Sequence, residues 1–329
     1  MAPLKINKSS LKNTKPKVLV ILGPTASGKT KLAVSLARQF KGEIISADSR
    51  QVFKGMDIGT GKDLKEYGSG KNKVNYHLID VVNPNDEFNL AKYQELANAA
   101  IKKVIVSGHL PILVGGTGLY LQAVVDAYEL SPYKPDLKRR ALLEKKSVAQ
   151  LFKLLEKAKP DFAHKLNNSD KNNPRRLVRY LEIVDQEKNE LKSKQTVAEN
   201  KMDLAKKEPP YDFLLIGLDR SDEEIRKLIV KRIKNRLEKE DMVKEVERLY
   251  NEGVDYARLN SFGLEYRFIS AYLQEKIEYE EMIEKLGIAT YRFAKRQKTW
   301  FRRWEKQGRK IDWLSDLKEA EGKVKDWLK

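Results

Sequence analysis

The chain has 329 residues, 41% of them apolar, with 65 Lys+Arg against 47 Asp+Glu and a formal net charge of +18. That is enough apolar material for one large domain or two ordinary ones, which excludes a globally disordered or collagen-like chain. The apolar runs, such as Val18-Leu19-Val20-Ile21-Leu22, are far shorter than the roughly 20 residues of a membrane helix, so no membrane partner is expected.

The absence of cysteine excludes disulfide scaffolds, thiolate metal sites and cysteine nucleophiles, and fits a cytoplasmic protein. The charge excess points either to a polyanionic partner, nucleic acid first, or to a lysine-rich composition spread over solvated faces.

Residues 1–16 carry Lys5, Lys8, Lys12 and Lys15 with no acid and no apolar stretch of a secretory signal, so a flexible basic tail is expected. Five apolar β-formers then precede Gly23-Pro24-Thr25-Ala26-Ser27-Gly28-Lys29-Thr30, followed by Leu32, Ala33, Leu36, Ala37 and Phe40 at helical spacing. Further strands are expected over 43–47, ending at Asp48-Ser49-Arg50-Gln51, and over 76–82. Leu90, Tyr93, Leu96, Ala97, Ala100, Ile101 and Val104 predict a helix capped by Asn89 and stopped near Gly108. The run 111–114 predicts a buried strand ending in Gly115-Gly116-Thr117-Gly118.

This alternation predicts an α/β core of the P-loop type, a parallel sheet with helices on both faces. From 131 to 205 the β pattern gives way to charged helical stretches punctuated by Pro132, Pro135, Pro160 and Pro174, which we read as a helical insertion domain between core segments 17–130 and 206–329. The sheet resumes at 212–218. Asp219-Arg220-Ser221-Asp222 can cap a helix over 225–240, and helical blocks follow near 243–251, 264–274 and 279–306.

The segment from Gly23 to Thr30 fits G-x-x-x-x-G-K-[ST] between a predicted strand and a predicted helix, the setting of a phosphate-binding loop. Loop amides and the helix N-terminus would cradle anionic oxygens, Lys29 would add a point charge, and the Thr30 hydroxyl would ligate Mg²⁺. Kinases, ATPases and other phosphate-using enzymes share this loop. Asp48, Asp80 and Asp219 each end an apolar segment, and Asp48 lies where ligands bind in open α/β sheets, although an N-cap role would also suit it.

The Thr117 hydroxyl belongs to the same predicted edge. Residues 291–310 hold Arg292, Lys295, Arg296, Lys298, Arg302, Arg303, Lys306, Arg309 and Lys310 against Glu305 alone, with aromatics interleaved. That is a rail for a phosphate backbone. Phe293, Trp300 and Trp304 could equally form the buried face of that helix.

Taken together the segments resemble the tRNA dimethylallyltransferases, also called tRNA isopentenyltransferases. The matching stretches are GPTASGKT at 23–30, DSRQVFKGMDIGTGK at 48–62, HLIDVVNPNDEFNLAKY at 77–93, LVGGTGLYLQAV at 113–124, NNPRRLVRYLEI at 172–183 and AKRQKTWFRRW at 294–304. The resemblance implies transfer of a dimethylallyl group from dimethylallyl diphosphate to N6 of the adenosine beside the tRNA anticodon, releasing diphosphate.

It implies Asp48 as the base, Thr117 near the reacting centre, and Lys29, Arg232, the loop and Mg²⁺ on the diphosphate. It further implies tRNA contacts at Asp48, Ser49, Arg50, Gln51, Thr117, Arg140, Arg175, Arg176, Arg179, Tyr266, Arg267, Lys295 and Arg296, with the insertion gripping the anticodon stem-loop and the enzyme acting as a monomer. Where the family shows Gly before an aromatic and a basic residue, this chain has Glu265 before Tyr266 and Arg267. The rival readings are an enzyme prenylating free adenine nucleotides, a P-loop kinase or RNA-stimulated ATPase, and a non-catalytic RNA-binding protein.

Overall fold

The computed structural model describes residues 15–131, 133–193 and 208–329. All but the last two residues of the expected basic tail lie outside them. The described chain divides into two compact units, one built from the residues up to Ala127 and from Glu208 onward, the other beginning at Tyr128.

The first unit opens with β1 (Lys17–Leu22), α1 (Lys29–Gln39), β2 (Gly42–Ser46), β3 (Tyr76–His77), α2 (Leu90–Val106), β4 (Leu110–Gly115) and α3 (Gly118–Val125). The second unit follows in the chain with α4 (Leu137–Leu143), α5 (Val148–Ala158), α6 (Pro160–Lys165), α7 (Asn168–Lys171) and α8 (Pro174–Ser193). The first unit resumes with β5 (Asp212–Leu218), α9 (Asp222–Glu238), α10 (Met242–Asn251), α11 (Tyr256–Phe262), α12 (Leu264–Leu273), α13 (Tyr279–Lys306), β6 (Asp312–Leu314) and α14 (Leu317–Leu328).

The six strands form one parallel sheet in the order β3-β2-β4-β1-β5-β6. β1 is central, with Leu19 opposite Ile112 on one side and Leu214 on the other. Its unbroken apolar run follows from burial on both faces, where a half-exposed strand would alternate. Leu32, Ala33, Leu36 and Ala37 of α1 cover one face with Ile21, Ile112 and Ile216. Tyr93 and Ile101 of α2, Tyr120 and Leu121 of α3, and Phe301 and Trp304 of α13 cover the other. A separate cluster joins α9 to α13 with Val52, Phe53 and Met56.

Several local signals act as the sequence suggests. The Asn89 side chain accepts from Lys92 N–H at the start of α2, and Ser221 with Glu224 forms a capping box on α9. The third strand is shorter than the expected 76–82. Leu78 and Asp80 have φ of 63° and 57°, a left-handed backbone that takes the chain out of the ladder after His77. β6 and α14 have no counterpart in the sequence reading. β6 extends the sheet beside β5, and α14 buries Ala320 and Val324.

The buried stripe of α13 is Met282, Leu286, Thr290, Ala294, Gln297, Phe301 and Trp304, so Ala294 and Phe301, and not Phe293, hold its core positions. Phe293 is 38% exposed beneath Arg296. In the second unit, Leu143, Leu151, Leu155, Leu177, Leu181 and Val184 form the core, with Ser147 and Gln150 closing a capping box on α5.

Candidate active site

In a parallel sheet all carboxyl ends lie along one edge, so the segments after β1, β2, β4 and β5 meet there. α1 leaves β1 on one face and α3 leaves β4 on the other, which makes the β1/β4 boundary the switch point where open α/β sheets bind ligands. Gly28, with φ of 90°, turns the loop into α1, and no side chain caps that helix. Its first amides are therefore open to an anion. Ser27 Oγ is buried without a hydrogen-bond partner in the same loop.

A cavity of about 780 Å³ opens here, lined among others by Thr25, Ala26, Gly28, Lys29, Thr30, Asp48, Gln51, Asp63, Gly115 and Arg232. Asp48, Lys29, Thr30 and Arg232 are thus brought to one space from three segments of the chain, since Lys29 and Thr30 are neighbours at the start of α1. Asp48 follows β2, and its Oδ1 accepts from Arg50 N–H at 2.8 Å in an Asx-type turn. Thr117 Oγ1 accepts from Ser49 N–H at 3.3 Å, which ties the turn after β4 to the turn after β2. The strands approach closely because residue 115 lacks a side chain: a Cβ there would sit 2.1 Å from Ala47 O. Ser46 Oγ donates to Gln51 Oε1 and Gln51 Nε2 to Gly61 O, both at 2.8 Å, so Gln51 is held at either end.

The cations are strained electrostatically. Burial lowers the Lys29 ammonium to about 8, with Asp48 and Asp63 pulling it up and Arg232 pushing it down. Burial also lowers Arg232 to about 10, reinforced by Arg236 and opposed first by Glu265. The Glu265 carboxylate lies 4.0 Å from the Arg232 guanidinium. The residue that departs from the resemblance therefore faces the site arginine.

Of the other strand-end acids, Asp80 pairs with the fully buried Lys62 at 2.5 Å, and Asp219 is exposed, 4.0 Å from Lys298.

Three groups that sequence reasoning missed hold this edge in place. Glu245, 6% exposed, accepts from the N–H groups of Asp57, Ile58 and Gly59 and from Tyr266 Oη, at 2.7–2.9 Å. Lys62 donates to Asp57, Asp80 and Phe53 O. Gln297 bridges Thr25 and Gly116. The one signal for Lys62 is its place in the stretch at 48–62, and for Gln297 its polar character on an apolar helix stripe.

The expected tRNA contacts divide. Ser49 and Arg50 are half-buried beside Asp48, and Arg267, Lys295 and Arg296 are exposed. Tyr266 corrects the expectation: it is 1% exposed, and its hydroxyl is spent on Glu245, so its ring is a core element with no face to offer a large ligand. In the second unit Arg175 is exposed, whereas Arg176 pairs with Asp170. Arg140 makes a two-pronged bond to the buried Glu182 at 2.8 and 2.9 Å, and Arg179 reaches Glu182 at 3.4 Å and Tyr133 O at 2.6 Å. The sequence spacing predicts a helix face of guanidinium groups, and the structure shows two of the three already engaged by acids.

Residues 51–304 match the family described as IPP transferase. The chain is 45% identical to tRNA dimethylallyltransferase 2 of Shewanella sediminis over 90% of its own length and 92% of that protein. Among solved structures it is similar to the full-length tRNA isopentenylpyrophosphate transferase of Bacillus halodurans, at TM-score 0.65 and 32% identity, covering 95% of this chain and 96% of that one. A eukaryotic dimethylallyltransferase described as acting on tRNA superposes with a TM-score of 0.68 and 26% identity, covering 92% and 75% of the two chains.

Proposed function

The chain belongs to the IPP transferase family, and from that premise we propose that it is a tRNA dimethylallyltransferase, moving a dimethylallyl group from dimethylallyl diphosphate to N6 of the adenosine beside the anticodon. The observation that carries the reading is the shared cavity: a carboxylate, Asp48, faces the same space as a phosphate-binding loop and two half-buried cations, Lys29 and Arg232. One wall can accept a proton while the other holds a departing anion.

The N6 lone pair forms the new bond to C1 of the dimethylallyl group as the C1–O bond breaks, and that bond's electron pair leaves with diphosphate. The surplus N6 proton passes to Asp48, which matters because the adenine lone pair is delocalised and N6 is a weak nucleophile. Lys29, Arg232 and the uncapped N–H groups at the start of α1 favour the transition state, where negative charge on the leaving group is larger than in bound substrate. Thr117, through its bond to Ser49 N–H, keeps the Asp48 turn beside the β4 edge.

A divalent cation, Mg²⁺ in our reading, suits the donors present. No group of three or more His, Cys, Asp or Glu among the described residues could hold a metal, so the Thr30 hydroxyl and diphosphate oxygens would share it with water, as small hard cations prefer. When bound it supplies further positive charge to the leaving group.

In this reading the target adenosine enters unstacked, the second unit grips the anticodon stem-loop through exposed cations such as Arg175, and the basic face of α13 follows the phosphate backbone. In the same reading the enzyme works as a monomer in the cytoplasm. No helix among the described residues is long and apolar enough to cross a membrane.

The test is incubation with dimethylallyl diphosphate, Mg²⁺ and unmodified tRNA, AMP or ATP, with mass spectrometry of the products. Dimethylallylated tRNA is the expected result. Modified AMP beside untouched tRNA would assign a free-nucleotide enzyme, ATP turnover without transfer a kinase or ATPase, and tRNA binding without chemistry a binding protein.

A further inference from the structure

Gln297 lies on the buried stripe of α13, 7% exposed, and bonds to two loops at once. Its Oε1 accepts from Thr25 N–H and its Nε2 donates to Gly116 O, each at 2.8 Å. The partners dictate the orientation of the amide. An N–H requires the oxygen and a carbonyl requires the NH₂, so a flipped side chain would lose both bonds.

The contact is also sterically closed. A Cβ on Gly116 would lie 2.4 Å from Gln297 Nε2 and 3.2 Å from Gly23 O, so the two loops and the amide meet with no space for a methyl group. The helix is fastened on either side of this point. Lys298 Nζ donates to Arg220 O at 2.6 Å and Arg220 Nε to Ser27 O at 3.0 Å, while Trp300 Nε1 donates to Gln122 Oε1 at 2.9 Å.

β1 and β4 pair as far as Leu22 opposite Gly115. Past that register their loops diverge to opposite faces of the sheet, and the amide of Gln297 spans the gap that the ladder no longer holds. One loop carries Lys29 and the amides for diphosphate, and the other carries Thr117 and, through Ser49, the Asp48 turn.

We propose that Gln297 is a positioning residue for the transfer: it sets the spacing between the diphosphate loop and the Thr117 loop, and with it the distance N6 must cross to reach C1. The proposal rests on the dimethylallyl-transfer reading. Gln297 touches neither reacting atom and acts through Thr25 and Gly116. Misplacement of reacting groups by about 1 Å costs about 100-fold in rate, which makes such a spacer consequential.

The test uses the full chain with Gln297→Met, close in size and unable to make either bond. It is compared with the parent by calorimetric binding of inorganic diphosphate, kinetics with dimethylallyl diphosphate and tRNA, tRNA affinity and thermal melting. Diphosphate affinity should fall about tenfold, the size of one neutral hydrogen bond. The kcat should fall about 10- to 100-fold, with tRNA affinity within about twofold of the parent.

Gln297→Glu is the second variant should the first not fold. It keeps an acceptor for Thr25 N–H but has no donor for Gly116 O at pH 8, so the ratio of its kcat to the parent's at the same pH should be low there and rise as the pH falls and the carboxyl gains a proton. A merely structural side chain would give no such profile. Parent diphosphate affinity and kcat in Gln297→Met, or losses in both variants that only track loss of folded protein, would overturn the proposal. A parent that transfers no dimethylallyl group would overturn the reaction, whereas the difference in diphosphate affinity would still report the hold of Gln297 on the loop.

Discussion

At Lys29 burial outweighs the acids that surround it. Burial and Arg232 disfavour its charge, and Asp48 and Asp63 favour it, leaving it near 8. Since the charged form is the one that holds diphosphate, kcat/KM for dimethylallyl diphosphate should fall as pH rises through about 8, read from a pH–rate profile of the parent enzyme. The linkage to folding has the opposite sign. The folded value is depressed below the unfolded 10.5, so between about 8 and 10.5 the unfolded chain binds more protons, and this group's contribution to stability rises with pH across that window. Asp48 invites the complementary experiment. Asp48→Asn keeps an oxygen for Arg50 N–H but takes no proton, so turnover should fall by roughly 10² to 10⁴, with tRNA affinity within about threefold of the parent by filter binding. Near-normal turnover would reduce Asp48 to a turn-former. The Glu265 carboxylate near Arg232 belongs to the same scale: the guanidinium has a resident counter-charge that substrate diphosphate must compete with.

Among the elements, the segment after β2 is one whose order depends on distant side chains. Glu245 on α10 accepts from three successive amides, 57 to 59, and Lys62 is locked between Asp57 and Asp80. Glu245→Gln replaces one of those acceptor oxygens by a donor aimed at N–H groups. It should destabilise the protein by about 3 kcal/mol in urea unfolding, as expected when a buried charge-assisted set is left partly unpaired. What could be read in advance follows the reach of each interaction. β1, β5, α2, α9 and α13 are announced by local periodicity and local caps such as Asn89 and Ser221, and the diphosphate loop by its own eight residues. Glu245 and Gln297 were silent because the backbone groups they hold lie 186 to 188 and 181 to 272 residues away, where no local pattern reaches. Tyr266 misled for the same reason: an aromatic beside an arginine reads as a contact surface until a distant carboxylate is seen to claim its hydroxyl. β3 ended early because Leu78 and Asp80 adopt left-handed backbone that their side chains do not advertise. β6, three residues long, offered too few positions for a period to show.

At the scale of the whole molecule the +18 charge has to be divided between cations that are spent and cations that remain available. Lys62, Arg140, Arg179, Arg236 and Lys298 are engaged by acids or carbonyls inside their own unit. Lys295, Arg296, Arg302 and Arg303 stand exposed along α13 and Arg175 along α8. If the exposed set holds tRNA, log affinity should fall linearly with log salt, and the double variant Lys295→Ala/Arg296→Ala should flatten that slope by about 1 to 2 without changing kcat. A tRNA affinity insensitive to salt would make the charge a matter of composition. Glu245 also bears on how the molecule spends its anions. Its carboxylate does for residues 57–59 what a substrate phosphate would do for the amides at the start of α1, so the fold holds two cradles of the same chemistry, one filled at synthesis by a tethered anion and one left for a diffusing one. The framework that flanks the open cradle is already hydrogen-bonded without substrate, so binding energy can go to the ligand and not to forming those bonds.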